Sequence, residues 1–190
     1  MAAQVKYKLG AREDNGLCRV IATVAFSDVS VGDVGGYIES ERNLAHLGNA
    51  WVAGDAQVYG NARVFRDAQV FGDAQVVGNA WVFGDAQVFG NARVSGNAQV
   101  FRDAQVFGDA RVFGDAVVTT LCSKSPTTIS GLRYTITVTD EHLRAGCQVY
   151  TFQEWRDKTE CAVLAMDGKA ALVFYRETLI PLMDVLKLGV

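Results

Sequence analysis

The sequence predicts a mainly β chain: a triangular parallel β-helix of eighteen residues per coil, followed by a small α+β module. Two observations predict it. Residues 48–119 are twelve six-residue units without a gap, each reading Gly (Arg in two units), Asp or Asn, Ala, x, Val, x. On either side of this tract the period fades and the composition changes. Strict self-similarity at a short period is the signature of a solenoid, whose repeats bury their apolar faces only by stacking.

Within a unit, Ala and Val lie two residues apart and so point to the same side of a short strand. That side is the interior. The residue between them (Gln, Arg or Trp) and the residue after Val (mostly Phe) point outward. The Gly-Asp or Gly-Asn pair that follows supplies turn chemistry. Arg66 and Arg102 stand where the other ten units carry Gly, whereas Asp or Asn never yields its place. This constancy places the left-handed turn conformation on the Asp/Asn position, since these residues enter that region most readily after glycine.

Three strands close one coil, so residue i lies beneath residue i+18, at about the 4.8 Å spacing of paired strands. The chain then sorts into three faces. One carries Val52, Val70, Val88 and Val106 inside and Phe71, Phe89 and Phe107 outside. A second carries Val58, Val76, Val94 and Val112. The third carries Val64, Val82, Val100 and Val118 inside and Phe65, Phe83 and Phe101 outside, with Trp81 beside them. Two ladders of phenylalanine on a soluble protein predict an interface, formed by Phe65, Phe71, Phe83, Phe89, Phe101, Phe107 and Trp81.

Residues 1–47 read as an N-terminal cap with irregular first coils. Residues 20–26 are rich in β-branched side chains and predict a strand. Phe26, Gly32, Ile38 and Leu44 keep the six-residue spacing but run two residues out of phase with Val52, and an insertion at Ala45-His46-Leu47 restores it. Residues 120–190 break the pattern and predict a ββαα module. Residues 127–139 and 143–152 form its two strands about the turn Asp140-Glu141-His142. Thr151 with Glu154 is a capping box opening a short helix near Phe152. Leu172, Tyr175, Leu179, Leu182 and Leu186 fall at helical spacing, and Pro181 should kink or split that helix.

The Gly-Asp/Asn-Ala-x-Val-x tract, the upstream Gly-Gly-Tyr-Ile-Glu-Ser stretch beginning at Gly35, and the short α+β tail together resemble bacterial and phage hexapeptide-repeat proteins. These carry the transferase-hexapeptide or polymer-forming label. The resemblance is strong over residues 48–119 and loose before them. It implies a left-handed coil, a homo-oligomer (trimer or dimer), and, in a phage or prophage setting, a surface that sequesters a host protein or small ligand. The chain departs from the family in placing Phe directly after the inward aliphatic residue.

The chemistry in the sequence is sparse. Net charge is −3 with 49% hydrophobic residues, which provides no clustered basic surface for nucleic acid. Cys18, Cys122, Cys147 and Cys161 form no CxxC pair and read as reduced thiols in or near cores, so no metal site and no cofactor are expected. The N-terminus lacks an apolar signal core and no apolar run reaches a membrane span, which together predict a cytoplasmic chain. Hexapeptide-repeat carbonic anhydrases hold a metal with three His, and this chain has two. Hexapeptide-repeat acyltransferases use a His as general base on CoA thioesters at an intersubunit cleft, and His46 is the one counterpart here. The corner columns of Asp and Asn read either as an amide ladder or as an acidic edge for a cation. The reading that follows is a non-catalytic, oligomeric scaffold or binding protein, with the acyltransferase as its alternative.

Overall fold

A computed structural model of the chain describes residues 5–129 and 131–189. The chain divides into two compact units, Met1–Pro126 and Thr127–Val190, each with its own apolar core.

The first unit is a parallel β-solenoid whose three faces are three sheets. One sheet stacks five strands, Trp51–Val52, Gln69–Val70, Gln87–Val88, Gln105–Val106 and Leu121–Cys122. The solenoid thus runs past the regular repeats, with Cys122 buried in the column that Val106 occupies one coil earlier. The registers Val52↔Val70, Val58↔Val76 and Val64↔Val82 are those the eighteen-residue coil requires. Every repeat Val and Ala is at most 1% exposed. At roughly 25 cal/mol per Å² of apolar surface, each buried Val contributes about 1.5–3 kcal/mol against exposure.

The turn conformation falls on a different residue from the one the sequence suggests. Positive φ belongs to the Gly position, for example Gly72 at 71° and Gly90 at 69°, and not to the Asp or Asn after it. Arg66 and Arg102 adopt the same conformation, at φ 63° and 62°. A Cβ on Gly96 would lie 2.9–3.2 Å from the backbone of Gly114 one coil on, so sterics between coils reinforce the choice of glycine. The column Gly48, Arg66, Gly84, Arg102 alternates, and each arginine is therefore stacked on a glycine. The Asp and Asn that follow stay outside the left-handed region, and the Asn side chains hydrogen-bond along the stack, as described below.

Many of the bonds between coils run from an earlier coil to a later one: Gln69 N donates to Ala86 O (2.9 Å), Phe71 N to Val88 O (3.0 Å) and Asp73 N to Gly90 O (3.0 Å). The first coil therefore presents carbonyls that no earlier coil can satisfy, and a buried carbonyl without a donor is costly. The cap supplies donors. It is an antiparallel sheet of β1 (Tyr7–Arg12), β2 (Cys18–Ala22) and β3 (Val34–Ile38), the last running parallel to Gln57–Val58. The strand expected at residues 20–26 thus begins and ends earlier, as β2. Tyr37 N and Glu39 N donate to Ala56 O and Val58 O (2.8 and 3.2 Å), and Ala45 N to Val64 O (2.9 Å). Side chains complete the set. Lys6 Nζ reaches Ala50 O (2.6 Å) and Gly48 O (3.2 Å), Asn43 Nδ2 reaches Gly60 O and Ala62 O (3.0 and 2.9 Å), and Arg19 reaches Gly54 O (2.6 Å).

The phase shift is also visible. Ile38 pairs with Val58 and Leu44 bridges Val64, twenty residues on, before the eighteen-residue register begins at Trp51. Phe26 and Gly32 lie outside this column; Phe26 packs edge-on against Trp51 at 5.4 Å.

The second unit is a four-stranded antiparallel meander followed by helices. Each of the two strands expected there is folded in half, giving Thr127–Ile129, Ile136–Val138, His142–Ala145 and Gln148–Thr151. Gly146, at φ 59°, supplies the second break. The helix α1 (Phe152–Arg156) opens on the capping box: Thr151 Oγ1 accepts from Glu154 N (3.1 Å), and Glu154 Oε2 accepts from Thr151 N (2.8 Å). Next come α2 (Glu160–Phe174), a π-helical stretch Tyr175–Leu179, and α3 (Ile180–Val185). The wide turn falls immediately before Pro181, whose missing N–H and ring cannot be accommodated in an unbroken helix. Of the helical stripe, Tyr175 and Leu179 are buried while Leu186 is 41% exposed; Phe174 and Met183 take its place in the core.

Candidate binding surfaces

The outward residues form ordered columns because the coil repeats them at one pitch. Phe65, Phe83 and Phe101 stack with centroids 4.8 Å apart and planes within 9°. Phe71, Phe89 and Phe107 stack at 4.9 and 5.2 Å, within 8°. All six are half-buried, since each ring covers the faces of its neighbours and leaves an edge outward. Trp81, 41% exposed, meets Phe65 edge-on at 6.1 Å. Guanidinium groups border this ladder: Arg66 lies 5.7 Å from the Phe83 centroid and Arg102 5.8 Å from that of Phe101.

The corners carry amide ladders. Asn61 Nδ2 donates to Asn79 Oδ1 (3.2 Å), Asn79 to Asn97 (3.0 Å), and Asn97 to Asp115 Oδ1 (3.0 Å). Asn49 donates to Asp67 (2.8 Å) and Asn91 to Asp109 (3.1 Å) in the other two columns. Asn91 thus separates Asp73 from Asp109, whereas Asp67, Asp85 and Asp103 stand on successive rungs, and Arg19 pairs with Asp55 at 2.8 Å. Among the described residues, no group of three or more His, Cys, Asp or Glu is arranged to hold a metal ion.

His46 stacks flat on Tyr7, with centroids 4.2 Å apart and planes at 17°. Its Nδ1 is buried without a hydrogen-bond partner. A general base needs an imidazole oriented by a partner and within reach of the proton it takes, and this one is held by ring packing. His142 is placed in the strand His142–Ala145 of the other unit. Of the cysteines, Cys18 and Cys122 are buried as expected, whereas Cys147 and Cys161 are exposed.

Two features escape the sequence. One is Lys6, which is 3% exposed beneath the first coil. Burial pulls its ammonium down to about 8, against a smaller upward pull from Asp67. Next to it the Tyr7 hydroxyl donates to Leu44 O (2.6 Å), and burial, then Glu41, pushes the phenol above its ordinary value. The pH dependence follows from these signs. From about 8 to the ordinary lysine value of 10.5, the unfolded chain holds a proton on Lys6 that the folded chain has lost, so stability rises with pH. Above about pH 10 the unfolded chain ionises Tyr7 first, so stability falls. Urea midpoints measured from pH 7 to 11 should therefore peak near pH 10, and Lys6→Met should lack the rising limb. A wild-type midpoint that declines steadily from pH 8 would contradict this reading.

The other feature is a cavity of about 250 Å³ inside the second unit. Its walls come from the meander, α1, α2 and the π-helical stretch, and its rim includes Cys147 and Asp167. At the rim α2 breaks: Asp167 (φ −150°, ψ 38°) and Gly168 (φ 63°) leave helical geometry. No periodicity marks such a cavity, because its lining is gathered from separate segments.

A family model described as YdcK beta solenoid repeat matches residues 56–72, 86–102 and 104–119. The chain is a β-solenoid repeat protein. The matched segments lie within the regular coils and carry five of the six ladder phenylalanines, with Phe83 between two of them. Among curated proteins none matches the chain. Among the described residues, no helix of this solenoid protein is long and apolar enough to cross a membrane.

Proposed function

We propose that this β-solenoid is a non-catalytic scaffold that assembles with further copies of itself through its phenylalanine ladders. The observation that supports this is the pair of ring stacks at 4.8–5.2 Å, half-buried and outward-facing. Stacked rings have used their faces on one another, so what they offer a partner is a row of apolar edges at the coil pitch. A second copy carries the same row at the same pitch. Contact made at one rung is then repeated at the next, whereas a partner of different spacing would fit one rung and miss the others. The outward Gln69, Gln87 and Gln105 beside one ladder add side-chain amides at the same spacing, as the polar margin of an interface does. The acyltransferase alternative finds no such support, because His46 lacks an orienting partner.

Sedimentation velocity tests the proposal. The wild-type chain should sediment as a dimer or trimer at micromolar concentration. Phe83→Gln or Phe89→Gln, each at the centre of one ladder and outside the core, should weaken association at least tenfold while leaving the far-ultraviolet spectrum unchanged. A wild-type monomer at all concentrations, or full association by both variants, would overturn it.

A further inference from the structure

We infer that the cavity of the second unit is a binding site for a small aromatic ligand of one or two fused rings bearing a single hydrogen-bond donor. The size comes first. An engineered apolar cavity of about 150 Å³ suffices to take up benzene, and this one, open at its rim, offers about 250 Å³. The walls come next. Trp155, Phe174, Met166, Ala145 and Ala171 line it, so its interior is apolar, aromatic and polarisable.

The polar tips of the lining aromatics are already committed elsewhere. Trp155 Nε1 donates to Leu143 O (2.7 Å), and the Tyr175 hydroxyl donates to Trp155 O (2.8 Å). Tyr134, which packs edge-on against Phe174 at 4.9 Å, donates its hydroxyl to Asp167 Oδ2. These three side chains thus use their donors elsewhere and leave ring surface facing the void.

Asp167 is the exception. Its carboxylate has sites for about four hydrogen bonds, and it receives the Tyr134 hydroxyl with Arg133 Nη2 3.8 Å away. The side chain is 60% exposed at the rim, so part of it stays in contact with solvent. It stands there because α2 gives up helical geometry at Asp167 and Gly168. A broken helix directly beside a cavity is the kind of local irregularity that functional sites retain. A ring that fills the void with its apolar body and directs one N–H or O–H to the rim satisfies both halves of the site. A charged or highly polar ligand would lose its hydration in the walls without replacement.

The probe is indole, with indene as its isostere lacking the N–H. Titration calorimetry on the full chain should give saturable one-site binding of indole and at least fivefold weaker binding of indene. Ala171→Phe and Ala145→Leu, which add bulk to the lining from α2 and from the strand His142–Ala145, should abolish indole binding. Nuclear magnetic resonance supplies a readout that needs no variant: on adding indole, the Trp155 Nε1–H and Met166 methyl signals should shift most. Absence of saturable indole binding would overturn the inference. So would equal affinity for indene, undiminished binding by either folded variant, or shifts confined to other residues.

Discussion

Val88→Asp should abolish the folded solenoid. Val88 is fully buried in the middle of its column, between Val70 and Val106. A carboxylate there meets only Ala and Val side chains and has no donor within the coil. Such a substitution costs on the order of 5 kcal/mol, comparable to the whole net stability of a typical domain. Because a solenoid coil contacts only its neighbours, damage in a central coil also separates the coils on either side of it. Far-ultraviolet circular dichroism and urea titration should show no cooperative transition for the first unit. Gln87→Asp, one residue away and facing outward, should shift stability by less than about 1 kcal/mol. A Val88→Asp protein with the wild-type urea midpoint would overturn the inward register.

Gly35→Ala should be nearly as damaging, for steric reasons. A Cβ at Gly35 would lie 2.4 Å from Val52 O, 2.5 Å from a methyl of Val20 and 2.6 Å from the ring of Trp51. Its φ is unremarkable, so glycine is present here for space alone. β3 has to come this close to seat its edge on the first coil, and its next residue, Gly36, is similarly crowded, 2.6 Å from Ala56 O. Overpacking of this kind costs about 3 kcal/mol. Gly10 in β1 provides the contrast. Its added Cβ would meet neighbours at 3.5–3.7 Å, ordinary contact, so Gly10→Ala should stay within about 0.5 kcal/mol of wild type. Equal urea midpoints for the Gly35 and Gly10 variants would contradict the close seating of the cap.

How much of this is legible in the sequence depends on how often the chain repeats the message. The Val and Ala interior, the three faces and the Phe columns follow from a single period, because one register assigns every unit. Even the two-residue offset at Ile38 and Leu44 can be read, since both keep the six-residue spacing. The turn is misread for an instructive reason. Constancy of Asp and Asn looks like a backbone requirement, but the positive φ falls on the residue before, where Arg66 and Arg102 tolerate the strained conformation in place of glycine, while side chains such as Asn79 and Asn97 form ladders. In the tail, the capping box at Thr151 and Glu154 is local and is found directly. The meander is not, because a break inside residues 143–152 needs only Gly146 and leaves both halves strand-like. Lys6 is illegible because its partners are carbonyls, which no residue type announces. Of the candidate surfaces, the ladders are visible in the sequence and the cavity is not.

The order of the outward residues sets the step by which such a chain can change length. Between residues 60 and 107 Phe follows Val in two units of every three: Phe65 and Phe71, then Phe83 and Phe89, then Phe101 and Phe107, with Val77 and Ser95 in the gaps; Phe113 ends the pattern. Over that stretch the outward pattern therefore repeats every eighteen residues as well as every six. Gain or loss of eighteen residues would lengthen or shorten the stack and leave each column continuous. Gain or loss of six would keep every Val inside yet rotate all later units by one side of the triangle, ending one aromatic column and starting another elsewhere. For the core the two events are equivalent; for the exterior only the first preserves the pattern. The hexapeptide is the unit of folding, and the full coil is the unit of inheritance for its surface.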